Sequence, residues 1–297
     1  MTTAPVVGVD LSATNLQFGV VDADGAILGR ARARTEAHRG LDHVISNVCR
    51  GVEQACQAAG LGQDNIGAIG VAAAGAIDIP RGVVLQAPNL RWHDVPLRDM
   101  LAEKLGRPVA LDNDVNGAVW GEYNLGAGRG HKDLLGVWVG TGVGGGLVLG
   151  GRLHHGNFFT AGEIGNTVMD PTGGPGERTV EDLCSRTAMK RVLGAKVTTQ
   201  QIATAYTEGD PATCDVVNRS AELLGIAIAN WVTSLSLGAV IIGGGMTEAL
   251  GVPYLVRIRE SFDRDVFPDE LRACKLVITT LRADAGLLGA ALLAQGL

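Results

Sequence analysis

Asp112-Asn-Asp-Val-Asn116 gathers four polar side chains into five residues, between an apolar strand expected over Pro108–Leu111 and a helix expected over Gly117–Tyr123. Asn and Asp cap helix N-termini, so one of them needs no functional reason. Four exceed what a cap requires, which makes this cluster the strongest catalytic candidate that pattern alone offers. A second chemistry-bearing stretch is Leu134–Gly151, where Gly140-Thr-Gly-Val-Gly-Gly-Gly146 holds five glycines in seven residues between two apolar runs. Glycine permits positive φ and close backbone approach, so a loop of this kind could cradle phosphate or simply form a tight turn. Gly140, Gly142 and Gly145 also fit the spacing G-x-G-x-x-G. A dinucleotide fingerprint would open a helix, however, and here a second strand follows at Leu147–Leu149.

Other carboxylates and amides fall at element ends. Asp10 closes the strand Val6–Asp10, ahead of the turn Leu11-Ser-Ala-Thr-Asn15 and a return strand Leu16–Val21; it reads either as a turn cap or as a group facing a cleft. Glu163 is hemmed by small residues in Thr160-Ala-Gly-Glu-Ile-Gly-Asn166, and Glu181 opens a helix expected over Val180–Leu193. Asn89 beside Trp92, after the turn-rich loop Gly75–Gly82, suits a sugar, although a Pro-Asn turn beside a packed Trp accounts for it equally well.

These residues need a scaffold, and the pattern supplies one. A strand over Ala26–Ala33 is followed by a helix over Leu41–Ala59 with Val44, Ile45, Val48, Val52 and Ala55 at helical spacing, and by a buried-type strand over Ile66–Ala73. A helix over Pro96–Leu105 precedes the polar cluster. Later come helices over Pro211–Ser236, Pro253–Phe267 and Ala285–Gln295, and strands over Ala239–Ile242 and Lys275–Leu281. The strand at Ala239–Ile242 runs into Gly243-Gly-Gly-Met-Thr247, where backbone can approach a flat or charged ligand. Each half opens with an antiparallel hairpin, Val6–Val21 and Leu134–Leu149, which points to two related α/β domains facing each other.

With 297 residues, 46% apolar and 19% charged, the chain can bury two cores. A net charge of −6 with no basic face argues against a nucleic-acid or membrane-surface partner, and no apolar run reaches a membrane span. A cytoplasmic location is the simplest expectation. Five scattered cysteines, never in a C-x-x-C pair, read as reduced thiols.

Together these motifs resemble the ROK family of bacterial sugar kinases, regulators and open reading frames, over nearly the whole chain. Gly8-Val-Asp-Leu-Ser-Ala-Thr-Asn15 is similar to the family's first phosphate motif and Gly140–Gly146 to its second. Leu111–Asn116 resembles the catalytic Asn-Asp-x-Asn element, Ala161–Gly165 and Val180–Ser185 the two sugar-binding Glu segments, and Ile241–Gly245 the adenosine motif. The resemblance implies an α/β, two-domain, actin/hexokinase-like (ribonuclease H-like) ATPase fold with a cleft between domains, divided as 1–116 plus 284–297 and 117–283. It implies transfer of phosphate from Mg-ATP to a hexose hydroxyl, most simply glucose to glucose 6-phosphate. Asp114 would be the general base. Asn113, Glu163, Glu181, Asn89 and Asn166 would contact the sugar, with Gly75 in the loop beside it. Asp10 would hold Mg²⁺ through water. Ser12, Ala13, Thr14, Asn15, Thr141, Gly142, Gly144, Gly145, Gly244 and Gly245 would line the nucleotide, and a homodimer would be the assembly.

The chain departs from the family pattern in three places. Ser12-Ala13 stands where glycines are usual, and Asn166 where His is usual. The cysteine-rich zinc segment is replaced by the shorter Met169–Glu177 loop, so no zinc is expected there. These departures leave the acceptor sugar open to an N-acetylhexosamine, mannose, fructose or cyclitol, and the donor open to ATP or polyphosphate. A catalytically silent sugar-binding member is the alternative. A regulator of the family would carry an N-terminal helix-turn-helix, whereas the first strand is expected by Val6.

Overall fold

The computed structural model describes residues 4–297, which form two compact units. The first unit takes residues up to Gly126 with His155–Thr160 and Ala283–Leu297; the second takes Ala127–His154 with Ala161–Arg282.

In the first unit, β1 (Val6–Leu11), β2 (Asn15–Val21) and β3 (Ile27–Arg34) form an antiparallel meander, and helix α1 (Leu41–Ala58) follows. Strand β4 (Ile69–Ala73) then pairs parallel to β1. Next come the short strands β5 (Ala76–Asp78), β6 (Val83–Ala87) and β7 (Trp92–Val95), a separate antiparallel sheet. Helix α2 (Leu97–Leu105) leads to β8 (Val109–Asn113), parallel to β4, and to helix α3 (Asp114–Leu125). The main sheet therefore runs β3-β2-β1-β4-β8. Val7, Val9, Phe18, Val20 and Val71 of this sheet pack with Val44, Ile45, Val48 and Val52 of α1 in one core. The alternating pattern of β3 matches its place at the sheet edge.

The second unit repeats the scheme. Strands β9 (Leu134–Val139) and β10 (Val143–Leu149) form the antiparallel hairpin, with β11 (Arg152–Leu153) at the edge. Helices α4 (Val180–Cys184), α5 (Arg186–Leu193), α6 (Thr199–Glu208) and α7 (Pro211–Leu235) follow. Strand β12 (Ala239–Gly243) lies parallel to β9, helix α8 (Gly245–Asp265) comes next, and β13 (Lys275–Ile278) completes the order β11-β10-β9-β12-β13. The chain then returns to the first unit as α9 (Ala285–Gln295).

Helix α9 is buried along most of its length by small residues that let backbones touch. A Cβ on Gly289 would lie 1.7 Å from the Gly117 carbonyl oxygen of α3, and one on Gly70 of β4 would lie 1.7 Å from the Ala290 carbonyl. These contacts set α9, and through it α3, at van der Waals distance from the sheet.

Several expectations change. The helix expected to begin at Gly117 begins at Asp114, because the Asn113 side chain caps it three residues earlier. The helix expected over Val180–Leu193 is two helices. Ser185 is extended there, and its hydroxyl accepts the Ala188 N–H to start α5. Helix α8 begins at Gly245 rather than Pro253; it kinks at Gly251, whose φ is 64°, just before that proline. The stretch around Gly75–Trp92, read as turn and loop, is the small sheet β5-β6-β7, whose strands are too short to show alternation. Helix α6 was not anticipated, although Thr198 and Gln201 form the reciprocal cap that marks its start.

Candidate active site

In the first unit the polar cluster sits where β8 passes into α3. The Asn113 Oδ1 accepts the N–H groups of Val115 at 2.9 Å and Asn116 at 3.2 Å, while its Nδ2 donates to the Gly75 carbonyl at 3.0 Å. Gly75 has a φ of 121° and would place a Cβ 2.6 Å from the Gln86 carbonyl, so glycine is required where it meets β6. Asp114 is in the first turn of α3, where the helix dipole favours a negative charge, and its Oδ1 accepts its neighbour Val115 N–H at 3.0 Å.

Asp112 is only 2% exposed. Its Oδ1 accepts the Asn113 N–H at 2.7 Å and the Asn116 Nδ2 at 3.0 Å, and His155 Nε2 donates to its Oδ2 at 2.7 Å. The pattern offered no sign of His155, which arrives from a segment distant in sequence. Without periodicity or a spaced partner, a single His carries no signal. The effect of this bond is to tie His155 to β8, the strand that leads into α3 and Asp114.

Asp10, at the end of β1, lies near enough to Asp114 to feel its charge. Burial, and then the Asp114 carboxylate, push its carboxyl up to about 7, against a weak hydrogen bond from Gln17 Nε2 at 3.5 Å. Gly286, in the first turn of α9, would bring a Cβ to 3.0 Å from Asp10 Oδ2. The neighbouring turn is closed by its own polar atoms. Ser12 N and Oγ both donate to the Asn15 carbonyl, at 3.1 and 3.0 Å, and Thr35 Oγ1 donates to the Ser12 carbonyl at 2.7 Å. Ser12 thus ties the turn with its side chain, while Ala13 is half-buried and Thr14 and Asn15 are exposed. Asn89 is exposed in a single helical turn ahead of Trp92.

In the second unit the β9–β10 connection is the glycine turn, with Gly140 N donating to the Gly142 carbonyl at 2.9 Å. A Cβ on Gly145 would come 2.2 Å from the Gly162 carbonyl, so this glycine admits the loop that carries Glu163. The Glu163 Oε2 accepts Asn166 Nδ2 at 2.9 Å, which joins two of the expected sugar-contacting residues. Glu181, in the first turn of α4, accepts the Val143 N–H at 2.9 Å. A Cβ on Gly142 would meet that carboxylate at 2.1 Å. The Val143 donor, inside the stretch expected to face phosphate, is therefore held by a carboxylate. Gly144 is half-buried in β10, and Thr141 is exposed at the tip.

At the end of β12, Gly244 (φ 90°) would bring a Cβ 2.5 Å from the Val139 carbonyl, whereas nothing lies within 4 Å of a Cβ on Gly245. The first N–H groups of α8 start at that open glycine, a suitable place for a ligand's polar edge. Cys184 is buried, and burial pushes its thiol up to about 12, which makes it an inert core residue.

Residues 6–296 match the profile of the ROK family. A glucokinase of Streptomyces coelicolor is 31% identical to the chain, with 97% of each covered, and a glucokinase of Thermotoga maritima is 31% identical over 98% of this chain and 97% of its own. Among solved structures, a ROK family glucokinase from Streptomyces griseus in complex with glucose and AMPPNP matches with a TM-score of 0.85 at 32% identity, covering 98% of this chain and 99% of that one. A ROK hexokinase from Thermus thermophilus matches with a TM-score of 0.84 at 34% identity over 98% of each.

Proposed function

The chain belongs to the ROK family and has its actin/hexokinase-like α/β fold, and from that premise we propose that it phosphorylates glucose at the expense of ATP. The observation that carries the proposal is full-length similarity to glucokinases, joined to retention of Asp114 in the capped first turn of α3 and of Glu163 and Glu181 in the second unit.

In this reading the Asp114 carboxylate takes the proton of the attacking sugar hydroxyl. Its place in the first turn of α3 sets it against the helix N-terminus, and the Val115 N–H holds one of its oxygens. Asn113, Glu163, Asn166, Glu181 and Asn89 pair the sugar's hydroxyls. A site built to satisfy hydroxyl groups rejects analogues that lack them, because its own polar groups would be left unpaired. Asn166, already donating to Glu163, holds that carboxylate in orientation as a His would, but without a charge. Ser12, Ala13, Thr14, Asn15 and the residues from Thr141 to Gly145 line the phosphate chain, and Gly244 and Gly245 line the nucleoside.

Mg²⁺ fits the donor set on Asp10. A carboxylate that burial and a like charge push up to about 7 gains from a neighbouring cation, and its oxygens are the hard ligands this ion takes, here through water. When bound, Mg²⁺ supplies neutralisation of the phosphate oxygens. A homodimer is proposed as the assembly on the family likeness alone. Asp114→Asn is the direct test: the turnover number falls by about 10²- to 10⁴-fold if this residue is the base, with glucose still bound. Unchanged turnover removes Asp114 from the mechanism.

A further inference from the structure

Arg186 stands at the first position of α5, against the tip of the glycine turn. Its backbone N–H donates to the Gly140 carbonyl at 2.9 Å, and its guanidinium donates to Thr141 Oγ1 at 2.6 Å and, weakly, to Thr199 Oγ1 at 3.5 Å. The next residue, Thr187, donates its hydroxyl to the Thr141 carbonyl at 2.7 Å, so the whole tip is tied to the start of α5. These bonds engage two of the guanidinium's N–H donors and leave the rest uncommitted. Among the described residues, no carboxylate lies within ion-pair distance of Arg186. A half-buried guanidinium fixed in place and left without an acid is suited to an anionic ligand.

The turn needs such a cation. Glu181 occupies one flank of it, holding the Val143 N–H and filling the space beside Gly142. A negative charge there repels any phosphate brought to the tip, and backbone dipoles alone would have to overcome that repulsion. Arg186, on the Thr141 side of the same turn, offsets it.

We propose that Arg186 is a donor-site residue, its guanidinium set on Thr141 to bind the phosphate chain of the phosphoryl donor. The assignment rests on the kinase reading above. The ligand chemistry is a linear polyphosphate chain, which ATP and inorganic polyphosphate share.

The test uses the full chain and the variants Arg186→Gln and Arg186→Lys. Gln removes the charge while the backbone bond to the Gly140 carbonyl and the Thr187 hydroxyl still tie the tip to α5; Lys keeps the charge and loses the planar fork. Initial rates are measured with Mg-ATP and with Mg-polyphosphate at saturating sugar, and inorganic tripolyphosphate binding is followed by calorimetry. In Arg186→Gln, the KM for whichever donor the wild type uses is expected to rise about 10- to 100-fold, the range set by one hydrogen bond to a charged group, with the sugar KM unchanged. Tripolyphosphate affinity should fall in parallel, and Arg186→Lys should recover part of both. A loss with only one donor identifies that donor as the source of the chain.

An Arg186→Gln protein that melts like wild type and shows unchanged donor KM and tripolyphosphate affinity overturns the proposal while leaving the kinase reading intact. If the wild type phosphorylates no sugar, that reading fails, and the calorimetric arm decides Arg186 separately. Tripolyphosphate binding lost in Arg186→Gln keeps it as a phosphate-chain ligand; equal binding, or none to either protein, removes it.

Discussion

Replacing Asp10 by Asn should make the metal-free protein more stable in a way that grows with pH. In the folded protein the Asp10 carboxyl is pushed up to about 7 from the ordinary 3.8, by burial first and the Asp114 charge second. The unfolded chain releases this proton near the ordinary value, and the folded chain holds it until near neutrality. Between those limits the folded state binds more protons, so stability is fully present below the ordinary value and falls as pH rises through the folded one. A shift of about three pH units at about 1.4 kcal/mol each sets an upper bound of about 4 kcal/mol, reduced where water or side-chain movement relieves the charge. Asn carries no such charge. Urea melts of the two proteins in chelator, at pH 5 and at pH 8, should show Asp10→Asn gaining about 1–3 kcal/mol relative to wild type across that interval. Adding Mg²⁺ at pH 8 should stabilise the wild type more than the variant. A stability difference identical at both pH values, with no differential response to Mg²⁺, would refute the reasoning.

Three further outcomes follow from named contacts. Gly289→Ala places a methyl where 1.7 Å separates its ideal position from the Gly117 carbonyl, so it should lower stability by about 2 kcal/mol or more in urea melts and reduce turnover by displacing the helix that carries Asp114. His155→Ala leaves one oxygen of the buried Asp112 without its partner and should cost about 1.5–3 kcal/mol in the same melts, with Asp112→Asn in that background recovering part of it. Asn166→Ala frees the Glu163 carboxylate and should raise the sugar KM by about tenfold in steady-state assays while leaving the donor KM alone.

The sequence was informative where local chemistry decides structure. Both hairpins, Val6–Val21 and Leu134–Leu149, are legible because alternating or continuous apolar runs flank turns rich in Gly, Asp or Asn. Asp10, Asn113, Asp114, Glu163 and Glu181 stand at element ends, where punctuation in the sequence is densest. Contacts between distant segments were not legible. His155 meets Asp112, and Arg186 meets Thr141, only because the fold brings them together, and neither pair leaves a spacing to read. Some glycines have two readings. Gly145 and Gly142 fit a phosphate loop in the sequence, and in the fold the first also admits the Gly162 carbonyl and the second lies against the Glu181 carboxylate, packing contacts that a sequence pattern cannot separate from ligand approach. The division of one expected helix into α4 and α5 likewise turns on whether Ser185 caps or continues, which is decided by its hydroxyl's bond to Ala188.

The central claim is tested most directly by an ADP-release assay with Mg-ATP across glucose, mannose, fructose, N-acetylhexosamines and cyclitols, with the phosphorylated product identified by mass. Phosphorylation of glucose with the highest kcat/KM in the panel is the predicted result. ADP release that no sugar stimulates, in a protein that still binds glucose, would contradict the account.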